Sequence, residues 1–408
     1  MKVLLVNKFF FPKGGAEVSF FETAKLLASK GHKVFFFSMS HPNNIPSPYA
    51  KYFISNVNFN QLGSLSKQIK AAGKIIYSFE AKRNIEKLII DKRVDVVHLN
   101  NIHHQISPSI LHTLKKWNLP TVMTLRDYKM ACPAYSMLSD GEPCEKCRDG
   151  RYYWCLLKRC TKHSYLKSAL NTLEMYLHHS IFRIYDLVDI FISPSKFLKR
   201  KIQEMGFKGE VVYLPNFIDL GGFVPSYTWE ENSLVYFGRL SQEKGLFSLI
   251  KAFKHLDLQL KVIGEGPLGQ DLGYKVKKEE FNNILFLGYK RGEELKREIT
   301  KSIAAILPSE CYENNPRSVI EAFALGKPVI GSRIGGIPEL VRHGETGLTF
   351  QPGNVGDLRE KIISLLGNKD KIIEMGKTAR VFVEEELNPE KHYQGLMKIY
   401  ERAIAKCL

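Results

Sequence analysis

At 408 residues the chain is too long for one ordinary core and points to two domains. Hydrophobic residues at 44% and charged residues at 25% are the balance of a soluble globular protein, and no apolar run reaches the roughly 18–20 residues that would cross a bilayer. The net charge of +17 is uneven: residues 1–220 carry 32 Lys and Arg against 17 Asp and Glu, while the remainder carries 27 against 25. The basic excess therefore belongs to the first domain, where it suits nucleic acid, an anionic membrane surface, or a merely solvated face.

The apolar run of the N-terminus is broken by Asn7 and Lys8, too early for the core of a signal peptide, so Val3–Val6 reads as a first strand and the protein as cytoplasmic. A loop with Pro12, Gly14 and Gly15 follows. Apolar positions at helical spacing (Val18, Phe21, Leu26, Leu27) then run to Gly31, a natural terminator. Lys33–Ser38, Val94–Leu99, Pro120–Leu125 and Ile190–Ser193 read as further strands separated by helices. This alternation predicts a parallel sheet covered on both faces. Residues of about 132–188 break the rhythm with a polar, Cys-rich loop and a basic, aromatic stretch, and read as an insertion. Asn216–Trp229, rich in Gly and Pro, reads as a linker. The alternation restarts with Leu234–Phe237, Leu260–Ile263, Ile284–Leu287, Ala304–Leu307 and Pro328–Gly331. The expected organisation is a first domain of residues 1–210, a second of 211–388, and a last helix, 389–408, crossing back to the first.

Doubly wound sheets bind ligands beyond the carboxyl ends of their strands. The loops at those ends are where the informative residues fall. Residues 308–341 read PSECYENNPRSVIEAFALGKPVIGSRIGGIPELV. Glu313 lies in the loop after one strand; Asn314, Asn315, Pro316 and Arg317 lead into a helix carrying Glu321. The start of that helix offers free N–H groups and a positive dipole end to an anion. FGRLSQEKG, residues 237–245, sets Arg239 and Lys244 between a strand and a helix, a guanidinium and an ammonium suited to a diphosphate. PKGGAE, residues 12–17, lets backbone approach a phosphate or sugar at Gly14 and Gly15, but lacks the GxGxxG spacing of dinucleotide sites.

Together these segments resemble the retaining glycosyltransferases of the GT-B fold, in family four, of the bacterial surface-polysaccharide type. The E-x7-E pattern is Glu313 and Glu321, GR-x4-KG holds Arg239 and Lys244, the GG-x-E loop holds Gly14, Gly15 and Glu17, and Gly264 opens a GEGP element. The resemblance spans nearly the whole chain. It implies two Rossmann-like α/β domains facing across a cleft, the first on the acceptor side and the second holding a nucleotide-sugar donor. Arg239 and Lys244 would bind the donor diphosphate, Glu321 the ribose and Glu313 the transferred sugar, with Gly14 and Gly15 against the phosphates. No bound metal is needed, since cations and helix ends do the electrostatic work. Many relatives place His-Asp where this chain has Arg126-Asp127, and an arginine cannot serve as general base. The leaving phosphate would then take the acceptor proton in a front-face attack.

Five of the seven cysteines lie between 132 and 160. Cys144, Cys147, Cys155 and Cys160 could bind a structural zinc or remain reduced thiols. His98, His103 and His104 are either polar packing or direct participants. The basic aromatic stretch 151–167 and the run 195–201 could rest on anionic lipid. The function expected is transfer of a hexose from a nucleotide-diphosphate sugar to a carbohydrate or lipid-linked acceptor, at the inner face of a membrane and without nucleic acid. A nucleotide-sugar epimerase and a non-catalytic binder are the alternatives.

Overall fold

The computed structural model describes residues 1–56 and 65–408, with backbone alone for 65–70. Its strands form two separate six-stranded parallel sheets. The first contains β1 (Lys2–Val6), β2 (Lys33–Phe37), β3 (Val96–Leu99), β4 (Thr121–Thr124), β5 (Ile190–Ser193) and β6 (Val211–Tyr213), in the order β2-β1-β3-β4-β5-β6. The second contains β7 (Ser233–Phe237), β8 (Gln259–Ile263), β9 (Ile284–Gly288), β10 (Ala304–Leu307), β11 (Val329–Ser332) and β12 (Gly347–Phe350), in the order β9-β8-β7-β10-β11-β12. Both are doubly wound α/β sheets, the architecture expected from the strand–helix alternation.

The strands are short and mostly apolar because helices cover both faces. In β7, Leu234 and Tyr236 enter one core while Val235 and Phe237 enter the other, the period-two alternation of a strand buried on both sides. The first sheet's core joins Val3 and Leu5 to Val96, Val122 and Ile190. It is completed by Leu396, Ile399, Tyr400 and Ala403 of the helix Pro389–Ala405.

The chain divides into two compact units, residues 1–137, 144–215 and 390–408, and residues 138–143 and 216–389. The sequence boundary after residue 210 therefore moves to 215/216. The reason is β6, a strand of three residues with only Val211 fully buried, which pairs with β5 through Phe191↔Val211. The sequence reading leaves out this apolar run, residues 211–214. β12 was missed likewise; it opens on Gly347 and interposes Thr349. The supposed linker is also packed: Ile218 is fully buried, and its N–H donates to Leu387 O at 3.0 Å. The insertion consists of a two-residue hairpin (Leu138–Ser139 with Glu142–Pro143) and the helices Tyr153–Leu157 and Tyr165–Met175, the second running on into a wider π-type turn, Tyr176–Ile181.

Candidate functional site

The strand order of the second sheet reverses at β7, which pairs in parallel with β8 on one side and β10 on the other. A crevice opens at the carboxyl end of such a switch point, where the two following loops run apart. The loop after β7 carries Arg239 and Lys244, and the loop after β10 carries Glu313. Lys244 Nζ and Glu313 Oε1 lie 2.5 Å apart. Ser309 Oγ donates to the same carboxylate oxygen at 2.6 Å, and Ser332 Oγ at the end of β11 donates to Ser309 O at 2.6 Å. Glu310 N–H donates to Glu243 O at 2.9 Å, stitching the two loops through their backbones.

Backbone geometry holds the carboxylate in place. Gly335 has φ of +61°, and a Cβ there would lie 2.4 Å from Glu313 O, so only glycine admits this approach. Gly336 N–H then donates to Glu313 O at 2.7 Å. Gly264, at the end of β8, has φ of +138°, and its Cβ would meet Gly238 O at 1.9 Å. That glycine lets the loops after β7 and β8 lie against each other.

Burial disfavours both charges of the ion pair, but their mutual attraction prevails. The Glu313 carboxyl stays below its ordinary range despite burial, through Lys244 and Ser309. The Lys244 ammonium, likewise opposed by burial, is held above its usual value by Glu313. Both side chains keep some exposure, 23% for Lys244 and 13% for Glu313. The pair is thus partly exposed, and each group's charge favours the charged form of the other. Beside it, burial and Glu313 push the Cys311 thiol up to about 12, so this cysteine is no nucleophile.

The helix Arg317–Ala324 follows, with Pro316 as its cap and Val319, Ile320 and Phe323 on the buried side. Arg317 Nε pairs with Glu321 Oε1 at 3.2 Å, one turn apart. Buried Asn315 accepts from Asn216 N–H at 3.3 Å, so the loop before the helix is fastened at both ends. Asn314 is half-buried next to it, and Arg239 stands exposed, its carbonyl accepting from Tyr236 OH at 2.7 Å. The structure thus joins Lys244 to Glu313 and Arg317 to Glu321, and leaves the Arg239 side chain exposed.

In the first unit, Gly14 caps the helix Gly15–Ser29 in an extended conformation, and Glu17 is buried in its first turn. The glycine pair therefore straddles a helix start rather than lying in a free loop. After β4, Arg126 Nε donates to Asn100 Oδ1 at 3.1 Å, and Asp127 Oδ1 accepts from Lys129 N–H at 2.9 Å. Burial raises the Asp127 carboxyl above its ordinary value. His98 is buried with both ring nitrogens engaged, to Tyr400 OH at 2.8 Å and Thr124 Oγ1 at 2.7 Å, and burial lowers it to about 3. It is packing. His103 Nδ1 lies 2.9 Å from Tyr185 OH.

Sequence reasoning missed the buried pair Lys129–Glu174, at 2.8 Å with side chains 1% and 0% exposed. His104 approaches the same carboxylate at 3.5 Å, and burial lowers this histidine to about 4. The available signal was Glu174 itself, the lone carboxylate in residues 151–183. Among the described residues, Cys144, Cys147, Cys155 and Cys160 form no disulfide. Among the described residues no three His, Cys, Asp or Glu side chains are grouped to hold a metal ion. Among the same residues, no helix is long and apolar enough to cross a membrane.

Two family models match: Glycosyltransferase Family 4 over residues 13–221, and Glycosyl transferases group 1 over residues 227–382. An uncharacterised glycosyltransferase of Methanocaldococcus jannaschii is 30% identical over 52% of this chain, which spans 59% of that protein. The N-acetyl-alpha-D-glucosaminyl L-malate synthase of Bacillus anthracis is 24% identical over 95% of this chain and 93% of its own length. Among solved structures, sucrose-phosphate synthase of Thermosynechococcus elongatus matches all of both chains with a TM-score of 0.76 at 20% identity. Anabaena HepE in complex with UDP and glucose matches 98% of this chain and 99% of its own, with a TM-score of 0.68 at 16% identity. These likenesses identify the fold as GT-B.

Proposed function

Since the chain belongs to glycosyltransferase family 4 and is a nucleotide-sugar-dependent glycosyltransferase, we propose that it moves a hexose, with retention at the anomeric carbon, from a nucleoside diphosphate to a saccharide or lipid-linked acceptor in bacterial polysaccharide or glycolipid synthesis. The observation that carries this reading is the ionised, partly exposed Lys244–Glu313 pair at the switch point of the second sheet. HepE, with UDP and glucose bound in the same fold, supports a uridine nucleotide as the first donor to try.

In this reading Lys244 turns from Glu313 to the donor diphosphate, joined by Arg239 and by the N–H groups at the start of the helix Arg317–Ala324. These fixed positive groups favour the charge that grows as the sugar–phosphate bond breaks. Glu313, still held by Ser309 and Gly336 N–H, accepts hydrogen bonds from the sugar hydroxyls, with Asn314 and Asn315 shaping the same loop. Glu321 accepts from the ribose diol. The acceptor oxygen bonds to the anomeric carbon on the face the diphosphate leaves, and its proton passes to a diphosphate oxygen. Arg126, Asp127 and the backbone at Gly14 and Gly15 line the acceptor side. The basic first unit holds the enzyme against the anionic inner face of a membrane.

Incubating the protein with labelled nucleotide sugars and a membrane lipid extract tests the proposal. Transfer of label to lipid or saccharide is expected, falling sharply in Glu313→Ala and Lys244→Ala while both stay folded. Near-normal transfer by both variants removes the site assignment, and no transfer from any nucleotide sugar removes the function.

A further inference from the structure

The insertion of the first unit ends its short helix Tyr153–Leu157 in a way that pairs two sulfurs. Arg159 adopts the left-handed conformation, with φ of +49°, just past the helix. Its N–H donates to Leu156 O at 3.1 Å, and Cys160 N–H reaches back to Cys155 O at 3.1 Å. Together these bonds make a Schellman termination, which folds the residue after the left-handed one onto the third residue from the helix end. Those two positions are Cys160 and Cys155. The backbone thus sets two cysteines against each other although four residues lie between them.

The contact is polar as well as steric. The two thiols share a hydrogen bond. Cys155 Sγ also lies 3.9 Å from Thr161 Oγ1, and that hydroxyl oxygen accepts from Asn171 Nδ2 at 3.0 Å, which turns its own hydrogen toward the sulfur. Thr161 N–H donates to Ser168 Oγ at 3.0 Å, so the helix Tyr165–Met175 fixes the residue that supports Cys155. Hydrogen bonds from Cys160 and Thr161 hold the Cys155 thiol below its ordinary value although burial opposes them. Burial moves its neighbours the other way, pushing the Cys132 thiol up to about 11 and raising Cys147. A cysteine that merely fills space behaves like those two. A sulfur whose thiolate is stabilised by a second thiol has instead the character of a reactive dithiol. The proton between the two sulfurs can sit on either. The reactive charge is therefore shared with Cys160, which is half-buried where Cys155 is 1% exposed.

We infer that Cys155 and Cys160 are a reversible redox pair, a modification site whose substrate is a small hydroperoxide and whose product is an intramolecular disulfide. Cys160, the sulfur that water reaches, attacks hydrogen peroxide as the thiolate. An S–O bond forms, the O–O bond breaks, and the leaving oxygen departs as water with the proton that Cys160 gave up. The Cys155 sulfur then attacks the sulfenic sulfur; the S–S bond forms, the S–O bond breaks, and the hydroxide leaves as water with the Cys155 proton. The two sulfurs give up two electrons, and the peroxide becomes two molecules of water. An external dithiol returns the pair to its reduced form. The inference goes beyond the proposed function and does not rest on the sugar chemistry of the second unit.

The test is a peptide map of the full chain, reduced, freed of reductant, treated with a small excess of hydrogen peroxide and then alkylated. Lys158 and Arg159 lie between the two cysteines, so trypsin puts the sulfurs on separate peptides, residues 152–158 and 160–162. The expected product is those two peptides joined, lighter than their sum by two hydrogens, and separated again by dithiothreitol. In Cys160→Ser the peroxide should consume thiol at least about tenfold more slowly than in wild type, while Cys144→Ser should match wild type. Thermal unfolding checks that each variant is folded, and the wild-type map needs no variant. The inference is overturned by full alkylation of both cysteines after peroxide, by a disulfide that joins other cysteines, by sulfinic acid on Cys160 without a link, or by equal thiol consumption in Cys160→Ser. It is also overturned by a stoichiometric metal ion that thiol-blocking releases from the purified protein, since a metal would then hold these sulfurs. A link that forms in a protein moving no sugar leaves this inference standing and removes the proposed function alone.

Discussion

Each unit holds a lysine–glutamate pair at the carboxyl edge of its sheet, and the two pairs behave differently because of how deeply they are set. Lys244–Glu313 keeps 23% and 13% of its side-chain surface exposed and sits between two loops stitched by backbone bonds. Lys129–Glu174 keeps 1% and 0%, and joins the loop after β4 to the inserted helix. A pair that water reaches can trade partners with a ligand at modest cost. A pair without water cannot, because each charge left alone in the interior is heavily penalised. On the proposed function the first exchanges its partner for a ligand, while the second ties the inserted helix to the loop after β4.

Breaking one partner at a time separates these roles, and the largest effect belongs to the buried pair. Lys129→Met leaves Glu174 an uncompensated buried charge and should cost about 3–5 kcal/mol in denaturant unfolding. The double variant Lys129→Met/Glu174→Leu should recover most of that loss; equal losses in the single and double variants would mean the pair is not what holds the helix. Lys244→Ala should lower transfer by about 10²–10³-fold, on the order of 3–4 kcal/mol of barrier, with little change in unfolding midpoint. A stability loss as large as that of Lys129→Met would erase the contrast.

A smaller effect is expected at Gly335, where an added Cβ forces Glu313 O away. Gly335→Ala should cost about 1–3 kcal/mol of stability and weaken UDP binding along with it. The last is a pH dependence. Glu313 is held below the ordinary glutamate value of 4.5 by Lys244 and Ser309, so its contribution to stability is fully present above pH 4.5 and is lost as pH falls through the folded value. The difference in thermal unfolding between wild type and Glu313→Gln should thus be constant above pH 4.5 and shrink below it. A difference that grows on acidification would show the pair to be unionised.

The same contrast explains what could be read in advance. The donor-side residues are close in sequence to their strand ends: Lys244 follows β7 by seven residues and Glu313 follows β10 by six, so reading the strands places both loops on one edge. Strands of four or five buried residues are visible as apolar runs. β12 is not, since it opens on a glycine and interposes a threonine, and β6 is a three-residue edge strand directly before the unit boundary. Lys129 and Glu174 are 45 residues apart, across an insertion with no strand of the main sheets, and nothing local marks either one as buried.

The return of residues 390–408 to the first unit has a consequence for the order in which this protein is made. The second unit is drawn from residues 216–389 together with one short hairpin, so nearly all of its sheet has emerged before the last helix is synthesised. The first unit's core lacks Leu396, Ile399, Tyr400 and Ala403 until then, and His98 lacks the hydroxyl of Tyr400. On the ribosome the half begun first is therefore the half finished last, and its unsealed apolar surface is what a chaperone would meet during elongation.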